Sequence, residues 1–279
     1  MKILIAGFAK TGTTGLFFKI RNSIGGEVRE LFEVRNYQPM PDDNKKLVLA
    51  KVLIGAQNFE WDYKNYSFFD KKILIIRDPR DRFISYLLYK IMHSKFWNDE
   101  EKVSRFVDLL RKKEENPDSV SVLEIVKLFY ELDGWYFDNA VFKNETTNQT
   151  NFMIDFLEEY QNFFILKYED FIDGNLKKLE EYLGFELTGS SEVRKHFQRV
   201  VRTKSYDNWK NWFTKEDVEY FKPLFIVFMN HFGYAENWNL NENKIIHPEH
   251  CSKYLERIIK ERFEINKREK EGSLWNNSK

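Results

Sequence analysis

Residues 2–14 read KILIAGFAKTGTT, in which an apolar run leads directly into a glycine turn. The apolar run over residues 3–6 is typical of a buried strand. Gly7 and Gly12 bracket the turn, Lys10 lies inside it, and two threonines follow. Backbone N–H groups in such a turn converge on an anion, and the next helix directs the positive end of its dipole to the same point. The stretch therefore predicts a phosphate-binding loop.

The position of the lysine separates this loop from the Walker A loop of ATPases and GTPases. The Walker A pattern places a lysine directly after its second glycine, and the next hydroxyl holds Mg²⁺. Here Thr13 stands in the place of that lysine, and Lys10 comes before Gly12. The spacing indicates phosphate binding by another arrangement, and it argues against ordinary nucleoside triphosphate hydrolysis.

A second apolar run, KILII at residues 72–76, leads into RDPRDRFIS at 77–85. Asp78 and Pro79 predict a helix start, with the aspartate as N-cap and the proline at the first helical position. Arg77 is then held at the carboxyl end of a strand, and Ser85 lies on the new helix. Ligands of open α/β sheets bind outside the carboxyl ends of the strands. We therefore expect both segments to deliver phosphate-binding groups to one edge of one sheet.

With both segments in view, the chain resembles the sulfotransferases that use PAPS (3′-phosphoadenosine 5′-phosphosulfate). KTGTT at residues 10–14 resembles the 5′-phosphosulfate loop of that family, and Arg77 with Ser85 resembles its 3′-phosphate site. RTKSYDNWKNWFT at 202–214 resembles a downstream segment of the family, Arg-x-Gly-x-x-Gly-x-Trp-Lys-x-x-Phe-Thr. Tyr168, after the predicted strand 163–167, resembles the tyrosine that meets the adenine. The four pieces occur in family order across residues 3–214.

Three departures from the family pattern indicate which branch is most similar. Many cytosolic members carry a tryptophan after the paired threonines, where this chain has Gly15. Lys204 and Asp207 replace the two glycines of the downstream segment. Cytosolic members carry their general base in a Lys-x-His motif, and the comparable stretch here reads KVL at 51–53, without a histidine. The missing histidine argues against the phenol and steroid branch, so the resemblance is closer to carbohydrate-type and bacterial members.

A carboxylate is the candidate general base that this resemblance implies. Carbohydrate-modifying members use a glutamate a little over twenty residues past the loop lysine. Glu33 stands about there, and Glu30 is the alternative. Such a base takes the proton of an acceptor hydroxyl and benefits from a pKa raised by burial.

The resemblance implies transfer of a sulfuryl group from PAPS to a hydroxyl or amine acceptor, which leaves adenosine 3′,5′-bisphosphate (PAP). Lys10 would offset the charge on the departing phosphate, and no metal would be required. The acceptor would be a small molecule, a carbohydrate or a glycolipid. The residues assigned to the nucleotide are Lys10, Thr11, Gly12, Thr13, Thr14, Arg77, Ser85, Tyr168, Arg202, Thr203 and Lys204.

Simpler readings and other function classes stay open at this point. Arg77 could pair with Asp81, Ser85 could lie on a helix surface, and Arg202 with Lys204 could form a solvated basic face. A nucleotide kinase or other phosphotransferase of the P-loop architecture is one alternative function. A non-catalytic nucleotide-binding protein of the same fold is the other.

Composition and element order predict an α/β enzyme with a central parallel sheet flanked by helices. The 279 residues, 42% hydrophobic and 17% aromatic, are consistent with a single sulfotransferase domain over 1–279. We expect a helical elaboration at about 91–150 and an amphipathic C-terminal helix at about 248–271. Zero net charge gives no reason to expect a nucleic-acid partner, and the single cysteine excludes an intramolecular disulfide. The first apolar run is too short for a signal peptide or a membrane span, so we expect a cytoplasmic protein.

Overall fold

The structure is a computed structural model of the chain and describes residues 1–34, 37–44, 46–55, 66–234 and 237–276. Within these ranges, five parallel strands form one sheet in the order β2-β3-β1-β4-β5. The strands are β1 (Lys2–Gly7), β2 (Val28–Phe32), β3 (Leu47–Leu53), β4 (Lys71–Ile76) and β5 (Phe164–Lys167). Helices flank this sheet, so the predicted α/β class is confirmed.

Among the described residues, one α-helix lies between β1 and β2, and the others follow β4. They are α1 (Thr13–Ser23), α2 (Pro79–Lys90), α3 (Glu100–Glu115), α4 (Val122–Leu132), α5 (Asn139–Glu159), α6 (Tyr168–Asp173), α7 (Lys177–Leu183), α8 (Trp209–Trp212), α9 (Lys215–His231) and α10 (Ser252–Asn276). The chain forms two compact units. The sheet unit comprises Met1–Arg82 and Asn148–Gln198, and the helical unit comprises Phe83–Thr147 and Arg199–Lys279.

The sheet unit is built around the central strands β1 and β4. Ile3 to Ala6 and Ile73 to Ile76 are fully buried, as expected for parallel strands whose two faces are both covered. On one face, α1 contributes Leu16, Phe17 and Ile20 to the core. Helix α7 adds its buried leucines to the same cluster. Apolar burial of this kind is the main force that holds α1 against the sheet.

The helical unit has a core of its own, to which α3, α4, α9 and α10 contribute. Helix α10 is amphipathic: Tyr254, Leu255, Ile258 and Ile259 are buried, and the positions between them are exposed. Cys251, just before α10, is fully buried, and its Sγ lies 3.9 Å from the carbonyl oxygen of Leu110. Burial, and next the nearby Glu114 carboxylate, raise the pKa of the Cys251 thiol well above its usual value.

The helix start that the sequence predicts at Pro79 is present in the structure, and a second helix start has an equally local signal. Helix α2 begins at Pro79, and the Arg80 backbone N–H donates to Asp78 Oδ1 at 2.9 Å. Helix α9 begins after Thr214, whose side chain forms a reciprocal capping box with Asp217. Both starts are encoded within a few residues, so they could be predicted without knowledge of the fold.

Candidate functional site

The sheet topology places the ends of the strands at one edge. In β1 and β3, Gly7 is in register with Leu53, and in β2 and β3, Phe32 is in register with Lys51. Since all five strands are parallel, their carboxyl ends lie at the same edge of the sheet. The segments that leave this edge include the loop after β1, Glu33 after β2 and Arg77 after β4. This edge of the sheet unit is the candidate site.

The loop between β1 and α1 contains two residues in the left-handed region. Lys10 has φ +71° and Gly12 has φ +94°. The Thr11 hydroxyl donates to the carbonyl of Phe8 at 2.8 Å and ties the loop to the end of β1. A Cβ on Gly12 would lie 2.5 Å from the ring of Tyr168, so both the backbone and the space require glycine there. A lysine in this conformation carries strain, which is common where a loop binds a ligand.

The amino end of α1 is suited to an anion. Its N-cap is Gly12, which has no side chain to cap the helix, and its first turn contains no acidic residue. The first four N–H groups of a helix have no partner within the helix, and the dipole makes this end positive. By contrast, α2 starts beside the carboxylate of Asp78, which accepts from Arg80. Of these two helix starts, that of α1 is the better suited to bind phosphate.

Arg77 connects the end of β4 to this loop. Its side chain is buried, and its Nη1 donates to the carbonyl oxygen of Lys10 at 3.2 Å. Its guanidinium carbon lies 4.3 Å from the centroid of the Tyr168 ring, close enough for a cation–π contact. The structure thus brings together Lys10, Gly12, Arg77 and Tyr168, four residues that the sequence assigned to the nucleotide. Thr11 in the loop and Thr13, the first residue of α1, are buried, and Thr14 follows in the first turn of the helix.

Sequence reasoning missed a second arginine at this loop, Arg82 in the first turn of α2. Its Nε donates to the carbonyl of Ala9 at 3.3 Å, and its guanidinium carbon lies 4.3 Å from the centroid of the Phe8 ring. The side chain is buried. Arg77 and Arg82 therefore hold adjacent carbonyls of the loop. The sequence signal for Arg82 was the run of arginines at 77, 80 and 82. The sequence does not show which of them contact the loop; in the folded chain Arg80 pairs with Asp78, whereas Arg77 and Arg82 hold the loop carbonyls.

Gly15 occupies a position where a large residue would not fit. A Cβ at this position would lie 3.2 Å from the ring of Phe171, which belongs to α6. The phenylalanine therefore takes up space beside α1 that a tryptophan at position 15 would need. Phe17, in the next turn, is fully buried against Phe18 and Phe32 in the sheet core. It is part of the packing of α1 on the sheet.

The two candidate bases have different surroundings. Glu33 follows β2 directly and accepts a hydrogen bond from Lys51 Nζ. Glu30 lies within β2 and accepts from both Arg21, at 2.9 Å, and Arg194, at 2.7 Å. Burial acts to raise the pKa of Glu30, but the hydrogen bonds from Arg194 and Arg21 outweigh burial and hold that pKa below its ordinary value.

The other predicted nucleotide residues belong to the helical unit. Ser85 is buried within α2, so it is not the surface serine of the simpler reading. Arg202 is also buried; its Nη1 donates to the carbonyl of His250 at 3.1 Å, and its guanidinium carbon lies 5.9 Å from the Trp212 ring. Thr203 is partly buried and Lys204 is exposed. A nucleotide-binding role for these four residues stays a prediction.

One glycine replacement in the downstream segment has a local explanation. Asp207, which stands where the family pattern has glycine, adopts φ +61°. Aspartate tolerates this left-handed conformation better than most residues with a side chain. Its carboxylate lies 2.5 Å from Lys210 Nζ. The chain therefore keeps the backbone conformation that glycine would favour.

Neither metal clusters nor membrane spans are found in the described part of the chain. No group of three or more His, Cys, Asp or Glu side chains is placed there to bind a metal ion. Among the helices described, none has the length and apolar character needed to cross a membrane.

Comparisons with known proteins were made by sequence and by structure. No family model matches the sequence. No curated protein matches it. Among solved structures, the chain is similar to the mouse sulfotransferase SULT7A1 complexed with PAP. The TM-score is 0.49, the sequence identity is 15%, and the similarity covers 82% of this chain and 84% of that chain.

Proposed function

We propose that this chain is a sulfotransferase that moves a sulfuryl group from PAPS to a hydroxyl or amine acceptor and releases PAP. One observation carries the proposal: the buried guanidinium of Arg77 donates to the carbonyl of Lys10, which has a left-handed backbone conformation. This carbonyl lies just before the start of α1, where the N-cap residue, Gly12, has no side chain to cap the helix. This arrangement concentrates positive charge and N–H donors at one end of one helix. It suits an anionic phosphate or phosphosulfate group.

The residues of the loop take separate roles in this reaction. The N–H groups of Thr13 and Thr14 at the start of α1, with the threonine hydroxyls, bind the 5′-phosphate. Lys10 offsets the negative charge that grows on this phosphate as the bond to sulfur breaks. Preorganised donors of this kind usually supply the largest catalytic contribution. Arg77 binds the 3′-phosphate and Tyr168 contacts the adenine, whereas a role for Ser85, Arg202, Thr203 and Lys204 at the 3′-phosphate rests on the sequence resemblance alone.

The acceptor proton goes to a carboxylate, and the surroundings favour Glu33 over Glu30. Glu30 accepts from two arginines and its pKa is lowered, which makes it a weak base held in place by ion pairs. Glu33 accepts a hydrogen bond from Lys51, and its side chain is 35% exposed. The acceptor oxygen forms a bond to sulfur, the bond from sulfur to the phosphate oxygen breaks, and the proton moves to Glu33. A carbohydrate or glycolipid hydroxyl is the acceptor we favour.

Calorimetry without magnesium tests the proposed function directly. We expect the protein to bind PAP more tightly than ADP or ATP, because the proposed site engages a 3′-phosphate that the latter two lack. Arg77→Met should weaken PAP binding by about 30-fold, a loss typical of a charge-assisted hydrogen bond. Lys10→Ala should weaken PAP binding less and lower the turnover of PAPS by about 10²-fold. Lys19→Met, on the same helix α1 but away from its start, is the matched control and should leave PAP affinity unchanged.

Other outcomes identify the alternative functions. ATP binding that strengthens with Mg²⁺ and exceeds PAP binding would indicate a nucleotide kinase. PAP binding without any transfer from PAPS would indicate a non-catalytic nucleotide-binding protein. Equal affinity for PAP and ADP would contradict the 3′-phosphate site.

A further inference from the structure

Glu33 is held in an unusual backbone conformation at the end of β2. Its φ of +58° lies in the left-handed region, which is uncommon for a residue with a long side chain. Its backbone N–H donates to the carbonyl of Lys51 at 2.8 Å, and its Oε1 accepts from Lys51 Nζ. One lysine on the neighbouring strand thus contacts both the backbone and the side chain of this glutamate. Strained residues of this kind persist where the surrounding structure fixes them, often at functional sites.

Lys51 is itself an unusual residue for its place. It lies inside β3 and is in register with two apolar residues on the neighbouring strands, Ile5 of β1 and Phe32 of β2. Its side chain is only 3% exposed, and its Nζ lies 4.2 Å from the centroid of the Phe32 ring. Burial lowers the pKa of Lys51, and the Glu33 carboxylate, the charged group that acts on it, partly opposes this shift. An apolar side chain would stabilise this strand more simply, because a buried charge costs free energy unless it is paired.

Building on the function proposed above, we propose that Lys51 is a positioning residue for the general base. Its ammonium binds one oxygen of Glu33 and fixes the strained turn at the end of β2. The remaining exposure of the glutamate lets its second oxygen receive the acceptor proton. When this proton arrives, the Glu33 carboxylate becomes neutral and Lys51 keeps its charge. The lysine does not touch the reacting atoms.

Kinetics of three variants distinguish positioning from simple support of the fold. With PAPS and N-acetylglucosamine oligosaccharides as the acceptor probe, Lys51→Met should lower kcat by about 10²-fold, the usual contribution of a well-placed base. The KM for PAPS and the affinity for PAP should change less than about twofold, because Lys51 is not among the nucleotide contacts. Lys51→Arg should recover at least about tenfold of the lost kcat, because it keeps the cation beside Glu33. Lys46→Met is the control, because Lys46 pairs with Glu27 at 2.6 Å on the exposed surface.

A second measurement does not depend on the acceptor. Glu33 can be observed by ¹³C NMR of its side-chain carboxyl, with the signal assigned from the Glu33→Gln variant. In Lys51→Met the Glu33 carboxyl signal should change its position at a fixed neutral pH, because the hydrogen bond from Lys51 Nζ is lost. Lys46→Met should leave this signal unchanged.

The outcomes separate this inference from the proposed function. If Lys51→Met lowers stability but changes neither the Glu33 carboxyl signal nor kcat, Lys51 only supports the sheet and the inference is wrong. If the wild-type protein fails to bind PAP while the Glu33 carboxyl signal responds to Lys51→Met as expected, the coupling of the pair is established and the sulfotransferase function is wrong.

Discussion

At the scale of single residues, two glycines in and beside the loop have quite different tolerances. Gly12 combines a φ of +94° with a Tyr168 ring only 2.5 Å from the position of a Cβ. Gly15 has an ordinary φ, and the nearest atom, in the Phe171 ring, lies 3.2 Å from its Cβ position. A side chain at Gly12 is therefore opposed by both the backbone and the packing, whereas a single methyl group at Gly15 requires only a small shift of one ring.

Gly12→Ala should destabilise the protein by roughly 2–4 kcal/mol, because it adds left-handed strain to an overpacked contact. Urea denaturation measures the loss. Gly25→Ala is the matched control: no atom lies within 4 Å of its Cβ position, and the free energy of unfolding should hardly change. A Gly12→Ala protein as stable as the wild type would mean that the loop does not adopt this conformation.

At the scale of elements, one buried aspartate joins the starts of two helices. Asp217 is fully buried, and its carboxylate accepts from the backbone N–H groups of Val122 at 2.8 Å and Leu123 at 3.1 Å, at the start of α4. The same carboxylate accepts from the Thr214 N–H at 2.9 Å, at the start of α9. A negative charge at a helix start is favourable because of the helix dipole, and here one charge serves two helices.

Asp217→Asn should destabilise the helical unit by roughly 3 kcal/mol, because the amide cannot accept from all of these donors and leaves buried N–H groups unsatisfied. Ser121→Ala removes only the ordinary side-chain cap of α4 and should cost about 1 kcal/mol. Circular dichroism during urea denaturation compares the two variants. Equal losses of unfolding free energy in the two variants would show that the hydrogen bonds between Asp217 and the start of α4 add nothing to stability.

The elements that could be predicted from sequence are those with local signals. The loop around Lys10 and the start of α2 at Pro79 are encoded by neighbouring residues, so they could be identified without the fold. The pairing of Glu33 with Lys51 could not be predicted, because it depends on β2 and β3 lying side by side in one particular register. The contact of Arg82 with the loop likewise depends on the direction in which α2 leaves the sheet. Such contacts are long-range in sequence and carry no local pattern.

At the scale of the whole molecule, a buried lysine makes folding stability depend on pH. Lys113, in α3, is fully buried and donates to the carbonyls of Pro117 and Val120. Burial lowers the pKa of Lys113 to about 8; Asp217 opposes the shift and Lys244 adds to it. Above that pH the folded chain loses this proton, whereas the unfolded chain keeps it until about pH 10. Since the unfolded state then binds more protons, stability rises with pH across this window.

We expect the free energy of unfolding to increase by about 1.5 kcal/mol from Lys113 alone between pH 8 and pH 9.5. Urea denaturation at the two pH values measures this change. Lys113→Met should reduce the increase by that amount, whereas Lys112→Met, at the exposed neighbouring position, should leave it unchanged. The free energy of unfolding of the wild type could instead fall between pH 8 and pH 9.5, with the same slope in Lys113→Met. That result would show that Lys113 keeps its proton in the folded protein.

The surroundings of Cys251 have a practical consequence for experiments in solution. Thiol reagents attack the thiolate, and here the sulfur is both inaccessible and protonated at neutral pH. Because this is the only cysteine in the sequence, the native protein should be nearly silent to maleimide dyes and nitroxide labels. A cysteine introduced at an exposed position would then carry the probe alone, so that distances across the two units could be measured without removing the natural thiol.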